Sequence, residues 1–156
     1  MTIKQLSLFM ENKPGHLASI CKTLAATNVN IVTLSLADTQ QFGIVRLIVN
    51  DCDKARDALS KAGFAVNVRD VLAVGVPDEP GGMARLLDII GAAGVNIEYM
   101  YAFLGGKDVE HAYMIIRVGN ADQEEAKLAS KGLKILTQEE SVLLAYLLMK
   151  ETSFVE

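Results

Sequence analysis

The chain has 156 residues, enough for one ordinary domain or for two small domains that share a core. Hydrophobic residues make up 51% and charged residues 22%, with 3 prolines, which is typical of folded globular proteins and argues against disorder. The formal net charge is -4 and the lysines and arginines are scattered, which excludes the basic surface that nucleic acid or an anionic membrane requires.

The cellular context is read from three features. Residues 1–9 alternate polar and apolar side chains and lack the apolar core of a secretory signal, so we expect them to belong to the folded protein. The longest apolar stretch, 142–149, is far shorter than the ~20 residues of a membrane span. Cys21 and Cys52 lack metal-ligand spacing and predict reduced thiols. We expect a cytoplasmic protein without a metal or cofactor.

An internal duplication organises the chain. The loop 12–15 (Asn-Lys-Pro-Gly) recurs 66 residues later as 78–81 (Asp-Glu-Pro-Gly), and 29–31 (Val-Asn-Ile) recurs as 95–97 at the same offset. Farther along the offset becomes 69, which places an insertion near 105–108. The duplication predicts two copies of one structural unit.

The first copy predicts the order strand, helix, strand, strand, helix, strand. Pro14 suits the first turn of the first helix, and Asn28 is expected to end that helix in a left-handed conformation. The segments are a strand around 5–8, a helix with the apolar stripe Leu17, Ile20, Cys21 and Leu24, a hairpin of 31–37 and 44–49, a helix from 51–53 to about 62 that Gly63 closes, and a strand over 64–68.

The second copy repeats this order without a linker, because 64–76 is a nearly continuous strand pattern. Thr137–Glu140 has the capping-box pattern, and 141–150 is either a short amphipathic helix or an added strand. The predicted segments are strand 71–76, helix 81–93, strands 97–103 and 112–118, helix 122–131 and strand 133–136.

These elements predict an α+β fold of two tandem ferredoxin-like βαββαβ units with antiparallel sheets, packed side by side. Right-handed crossovers would place two helices on one face of each sheet. We expect the first unit at 1–69, the second at 70–137 and a C-terminal extension at 138–156.

The strongest local signal is a strand that ends in Pro-Gly and opens a helix, and it occurs twice. The free N–H groups and the positive dipole end of such a helix form a carboxylate or phosphate site. Gly15, Gly81 and Gly82 would let a ligand approach the backbone closely. The alternative is that Pro-Gly only makes a tight turn.

Polar residues beside these loops have alternative roles. Asn12 and Asp78 either cap the helix or accept a hydrogen bond from a ligand ammonium group. Asn30 and Asn96 either fill a turn or contact the ligand, and His16 is either a surface residue or part of a pocket wall.

Catalytic motifs are missing from the sequence. It has no Gly-x-Ser-x-Gly, no plausibly paired cysteine and histidine, no Walker lysine loop and no His-Glu-x-x-His. The sequence therefore predicts a protein that is not an enzyme.

Tyr99, Tyr101 and Phe103 alternate along one strand and form either a packing face or one aromatic pocket wall.

With its two Pro-Gly loops, each leading into Val-Asn-Ile, and with the stretch 96–103, the chain resembles the ACT domain family as a stand-alone tandem pair, over roughly 3–137. The resemblance implies amino-acid binding at domain interfaces and regulation of enzymes of amino-acid synthesis. It carries ligand contacts over to Asn12, Gly15, Asn30, Asp78, Gly81 and Asn96.

Serine-binding members of the family often carry a histidine where Met10 and Val76 stand here, which argues against serine and favours an apolar ligand side chain. The first copy has the neutral Asn12 where the second has the acidic Asp78, and this difference in charge predicts that the two sites differ in affinity or use. The candidate ligand-binding residues are Met10, Asn12, Pro14, Gly15, His16, Leu17 and Asn30 in the first copy, and Val76, Asp78, Gly81, Gly82, Met83 and Asn96 in the second.

We therefore expect a regulatory homodimer that binds an amino acid at the loops between strand 1 and helix 1, between the units, and responds by a ligand-dependent population shift of an interface. The alternative is a regulatory or structural subunit of a metabolic enzyme such as acetolactate synthase, acting by protein contact. A small enzyme such as an acylphosphatase would need an arginine in the loop, where Lys13 and Glu79 stand.

Overall fold

The computed structural model describes residues 2–38, 40–103 and 111–152. The predicted insertion near 105–108 lies outside the described residues. The elements are β1 (Ile3–Glu11), α1 (His16–Ala26), β2 (Ile31–Asp38), β3 (Phe42–Val49), α2 (Cys52–Lys61), β4 (Val66–Pro77), α3 (Gly82–Ala92), β5 (Ile97–Phe103), β6 (His111–Val118), α4 (Ala121–Ser130), β7 (Ile135–Leu136) and α5 (Gln138–Thr152).

The chain divides into two compact units. The N-terminal unit is Lys4–Arg69, and the C-terminal unit is Asp70–Glu156 together with Met1–Ile3. The βαββαβ order occurs in each copy, and the predicted α+β fold with antiparallel sheets is confirmed. The nearly continuous strand predicted from the sequence is also confirmed, as β4.

In the N-terminal unit the strand order is β2-β3-β1-β4. Leu6 of β1 lies opposite Leu47 of β3, which in turn lies opposite Leu34 of β2. Successive side chains of a strand point to opposite faces, so every second side chain of these strands points to the face that α1 and α2 cover. The buried core consists of Leu6, Leu8, Met10, Ile20, Leu24, Val29, Val45, Leu47, Val49, Ala55 and Leu59.

In the C-terminal unit β4 pairs with β7 and β6, and β6 pairs with β5. An irregularity between Ile97 and Tyr99 shifts the register, so that Ile97 and Met100 both pack on the core. Tyr101 and Phe103 share the opposite face with Tyr99, and Phe103 is buried. The core consists of Leu72, Val74, Val76, Leu86, Ile90, Val95, Ile116, Val118, Ala121 and Leu128.

The two helices that follow the Pro-Gly loops start at left-handed glycines. Gly15 has φ 88° and Gly81 has φ 85°, a region that residues with a Cβ rarely adopt. This conformation interrupts the helical run, so α1 begins at His16, and the prediction that Pro14 lies in its first turn is wrong. The left-handed conformation expected at Asn28 is confirmed, with φ 56°.

The other helices begin with side-chain caps. Asp51 accepts a hydrogen bond from the Lys54 N–H at 3.0 Å, and Asn120 accepts one from the Gln123 N–H at 3.3 Å. Glu140 Oε2 accepts from the Thr137 N–H at 2.7 Å and Thr137 Oγ1 accepts from the Glu140 N–H at 3.2 Å, which confirms the capping box and makes the final segment a helix.

None of the helices in the described ranges is long and apolar enough to cross a membrane.

Candidate ligand-binding site

The starts of α1 and α3 differ from the other helix starts in having no side-chain cap. The first N–H of each helix is already bonded to the preceding turn: the His16 N–H donates to the Lys13 carbonyl at 3.3 Å and the Gly82 N–H to the Glu79 carbonyl at 3.0 Å. The N–H groups of the next residues have no acceptor within the helix, so they can bind an external acceptor. Asn12 and Asp78 do not supply that acceptor, and the prediction that they cap these helices is wrong. The N-cap position falls on Gly15 and Gly81, which leaves Asn12 and Asp78 in the turn before it.

A cavity of about 400 Å³ lies beside the start of α1 in the N-terminal unit. It forms where the end of β1, the first residue of α1, the start of β3 and the loop before β4 come together. Most of the wall is apolar, and three of its side chains are phenylalanines. The lining residues are Phe9, Met10, Glu11, His16, Phe42, Gly63, Phe64 and Ala65.

Two polar side chains belong to this cavity wall. The Nδ1 atom of His16 is buried and has no hydrogen-bond partner among the residues that the structure describes. Glu11 Oε2 lies 2.5 Å from Lys13 Nζ. The hydrogen bond and the positive charge of Lys13 lower the pKa of the Glu11 carboxyl below its ordinary value, so this group is ionised at neutral pH. The wall therefore offers the Glu11 carboxylate to a ligand, while the His16 Nδ1 atom lies below the accessible surface.

A second cavity, of about 230 Å³, lies beside the start of α3 in the C-terminal unit. Its wall is mainly aliphatic, with two basic side chains. Arg85 is ion-paired with Glu79, and Lys134 Nζ lies 5.9 Å from the ring centre of Tyr113. The lining residues are Gly75, Pro77, Gly82, Arg85, Leu86, Ile89, Gly132, Leu133 and Lys134.

Gly82 is confined by the backbone of its own unit. A Cβ at this position would lie 2.2 Å from the Pro77 carbonyl oxygen, and the Gly82 N–H already donates to the Glu79 carbonyl at 3.0 Å. The absence of a side chain is thus required by the close approach of two backbone segments. Ligand approach, the reason offered by the sequence, is not needed to explain this glycine.

The structure brings some of the predicted site residues to the cavities and leaves others away from their walls. Met10 and His16 line the first cavity, and Gly82 lines the second. Leu17 packs against the core of the N-terminal unit and Met83 against the core of the C-terminal unit. Val76 is buried in the core of the C-terminal unit. Those outside both linings are exposed: Asn12, Pro14, Gly15, Asn30, Asp78, Gly81 and Asn96.

Asn30 has a structural role at the ends of two strands. Its N–H donates to the Asn50 side-chain oxygen at 2.9 Å, and the Asn50 N–H donates to its carbonyl at 3.1 Å. Within the described ranges, no three His, Cys, Asp or Glu side chains come together as a metal site.

Sequence reasoning missed several lining residues of the first cavity. Phe42 and Phe64 come from segments distant in sequence from the Pro-Gly loop, so local motifs could not indicate them. One signal was available: Gly63-Phe64 matches Gly132-Leu133, and both pairs line their cavities. The glycine and the apolar residue after it therefore indicate a part of the cavity wall that both copies share.

Comparison with known proteins identifies the family. The model of the ACT domain pair matches residues 1–145. Among solved structures, a Bacteroides thetaiotaomicron protein named BT0572 is 40% identical, with a TM-score of 0.82, 90% of this chain covered and 96% of that one. No curated protein sequence matches.

More distant solved structures share the fold. The ligand-free regulatory subunit of aspartate kinase from Thermus thermophilus is 20% identical, with a TM-score of 0.59, 83% of this chain covered and 90% of that one. E. coli aspartokinase III, in complex with lysine and aspartate, is 18% identical, with a TM-score of 0.50, 83% of this chain covered and 31% of that one. The chain therefore belongs to the ACT domain family, as a pair of ACT domains.

Proposed function

We propose that this ACT domain pair is a non-catalytic regulatory protein that binds an amino acid at the start of α1, of α3, or of both. The observation that carries the proposal is the absence of side-chain caps on these two helices, each beside a cavity, whereas α2 and α4 are capped by Asp51 and Asn120. An open helix start attracts a carboxylate through its N–H groups and its dipole.

The surroundings of α1 match the parts of an amino acid. A ligand carboxylate would accept hydrogen bonds from the first-turn N–H groups, and its ammonium group would face the ionised Glu11. The apolar lining would receive an apolar side chain, in line with Met10 at the position where serine-binding members have histidine. The complex of E. coli aspartokinase III with lysine and aspartate supports an amino acid as the ligand class.

A second candidate is a regulatory subunit that acts through contact with an amino-acid biosynthetic enzyme, such as acetolactate synthase. The likeness to an aspartate kinase regulatory subunit favours it. Binding and contact are compatible, because a ligand that prefers one conformation shifts the population available to the partner.

The test is thermal unfolding in the presence of each proteinogenic amino acid. A ligand of the folded state stabilises it by about 2.7 kcal/mol at a hundredfold excess over Kd, so its unfolding temperature should rise and saturate. If no amino acid shifts the transition while the immobilised chain captures an enzyme subunit, the contact function replaces the sensor function.

Two variants at one position test the open helix start. Gly15→Asp places a negative charge where the ligand carboxylate would lie, and Gly15→Asn is its neutral control, since both residues tolerate the left-handed conformation. We expect Gly15→Asp to reduce the ligand-induced shift much more than Gly15→Asn does. Equal shifts in both variants would exclude the α1 start as the carboxylate site.

A further inference from the structure

The starts of α1 and α3 have the same backbone arrangement and different side chains. Gly15 and Gly81 are both left-handed N-cap residues. The Ser19 N–H donates to the Gly15 carbonyl at 2.9 Å, and the Arg85 N–H donates to the Gly81 carbonyl at 3.1 Å. Ser19 and Arg85 therefore occupy the same place in the two copies, so a difference in ligand access between the two helix starts comes from side chains.

A guanidinium group covers the start of α3. A Cβ on Gly81 would lie 3.4 Å from Arg85 Nη1, so the Arg85 side chain turns back over the N-cap residue of its own helix. Among the residues that the structure describes, no atom beyond the chain neighbours lies within 4 Å of a Cβ placed on Gly15. The start of α1 is thus open on the side where the start of α3 is covered.

The Arg85 guanidinium is held by a carboxylate of the preceding turn. Glu79 Oε1 is ion-paired with Arg85 Nη2. A bound amino acid would present its own carboxylate to the first turn of the helix, where the N–H groups and the dipole attract it. At α3 this carboxylate meets a guanidinium whose charge Glu79 already balances.

The first copy has a different ion pair before its helix. Lys13 stands at the position of Glu79, and Ser19 stands at that of Arg85. Lys13 Nζ lies 2.5 Å from Oε2 of Glu11, the last residue of β1. The ion pair of the first copy therefore lies on the strand side of the turn and does not cover the N-cap residue.

The two turns also differ in charge. Asn12 and Lys13 carry one positive charge, whereas Asp78 and Glu79 carry two negative charges, of which Arg85 balances one. A like charge at about 4 Å in water weakens the binding of a carboxylate by about fivefold. Opening an exposed ion pair weakens it by a further factor of up to about five. A carboxylate is therefore expected to bind about tenfold more weakly at α3 than at α1.

We propose that the Glu79–Arg85 ion pair is an internal competitor that disfavours ligand binding at the start of α3, so that the chain has one strong amino-acid site, at the start of α1. The inference rests on the proposed amino-acid-binding function and states which of the two helix starts performs it. The second copy keeps the backbone of the site, and its own side chains regulate access to it.

Exchange of the differing residues between the two copies tests the proposal. The exchanged side chains are all exposed, so the variants should keep the fold: Asn12, Lys13, Ser19, Asp78, Glu79 and Arg85. The measurement is isothermal titration calorimetry with each of the twenty proteinogenic amino acids. For the wild type we expect one strong site per chain and a second site that is about tenfold weaker.

The triple variant Asp78→Asn, Glu79→Lys and Arg85→Ser brings the residues of the first copy to the start of α3. We expect the amino acid that binds the wild type most tightly to fill two sites of similar affinity in this variant. The single variant Glu79→Gln removes only the competing charge and should strengthen the weaker site by about threefold. This milder change keeps the test decisive if the triple variant does not fold.

The reverse triple variant, Asn12→Asp, Lys13→Glu and Ser19→Arg, is the matched exchange at α1. It brings the residues of the second copy to the first helix start, and the strong site should weaken by about tenfold. The unfolding temperature without an amino acid should stay close to that of the wild type, because substitutions of exposed side chains change stability little.

The outcomes separate this inference from the function on which it rests. Two sites of equal affinity in the wild type, or unchanged affinities in Glu79→Gln or in either folded exchange variant, overturn the inference and leave amino-acid binding standing. Binding of none of the twenty amino acids, by the wild type or by any variant, overturns both.

Discussion

Gly82 is a position at which a single methyl group is expected to have a large effect. Its Cβ would lie 2.2 Å from the Pro77 carbonyl oxygen, so Gly82→Ala must displace backbone and should lower the free energy of unfolding by about 1–3 kcal/mol. Gly91, in the same helix, has no atom within 4 Å of such a Cβ, and Gly91→Ala should raise stability by up to about 1 kcal/mol. Urea denaturation measures both, and equal effects would contradict the steric explanation.

Single residues of the site could be predicted where local chemistry determines them. Met10 and His16, expected beside the ligand, line the first cavity, whereas Gly15 and Gly81 occupy the N-cap positions outside both linings and stay predictions as ligand contacts. The cap predicted at Asn12 was wrong, because which loop residue occupies the N-cap depends on backbone angles that residue type alone does not determine. The lining residues from distant segments, Phe42 and Phe64, could be assigned to the cavity only from the folded structure.

At the scale of elements, side-chain caps account for part of the stability of α2 and α4. Asn120→Ala removes the acceptor for the Gln123 N–H and should cost about 1 kcal/mol of unfolding free energy. Asn120→Asp keeps an acceptor at the same place and serves as the control in the same urea titration. Equal losses in both variants would show that the cap contributes nothing.

The capping box of α5 predicts a pH dependence. The Thr137 N–H and hydroxyl bind the Glu140 carboxylate and lower its pKa below the ordinary value of 4.5. A pKa that is lower in the folded state stabilises the helix above the unfolded-state pKa, and this contribution is lost as the pH falls through the folded-state pKa. The Thr137 amide shift, followed by NMR, should titrate with a midpoint below 4.5.

Glu140→Gln is the control for this titration. It keeps a hydrogen-bond acceptor in the box and has no charge to lose, so the Thr137 amide shift should become independent of pH in this range. A wild-type midpoint at or above 4.5 would contradict the capping explanation.

Most elements could be predicted because periodicity and repetition reinforce each other. The strand β5 was expected at 97–103 and occurs there, and the helix predicted at 122–131 is α4, shifted by one residue. The segment 141–150 could not be decided, because its short apolar run suits a buried helix and a strand equally. The capping box at Thr137 was the informative local signal.

For the whole molecule, the homodimer remains a prediction. Leu34 and Leu36 of β2 are 38% and 46% exposed, and β2 is the terminal strand of the order in its unit. Sedimentation equilibrium should give twice the 16.9 kDa mass of the chain. The double variant Leu34→Lys and Leu36→Lys should be monomeric, whereas Leu87→Lys, at another exposed leucine, should remain dimeric. A monomeric wild type would refute the dimer.

The uncapped starts of α1 and α3 have a consequence for protein engineering and for evolution. At an N-cap, serine or aspartate exceeds glycine by only about a few tenths of a kcal/mol. At φ 88° and 85° a side chain is also strained, so replacing Gly15 or Gly81 gives no gain in stability. Selection for a stable fold and selection for an open helix start therefore keep the same two glycines.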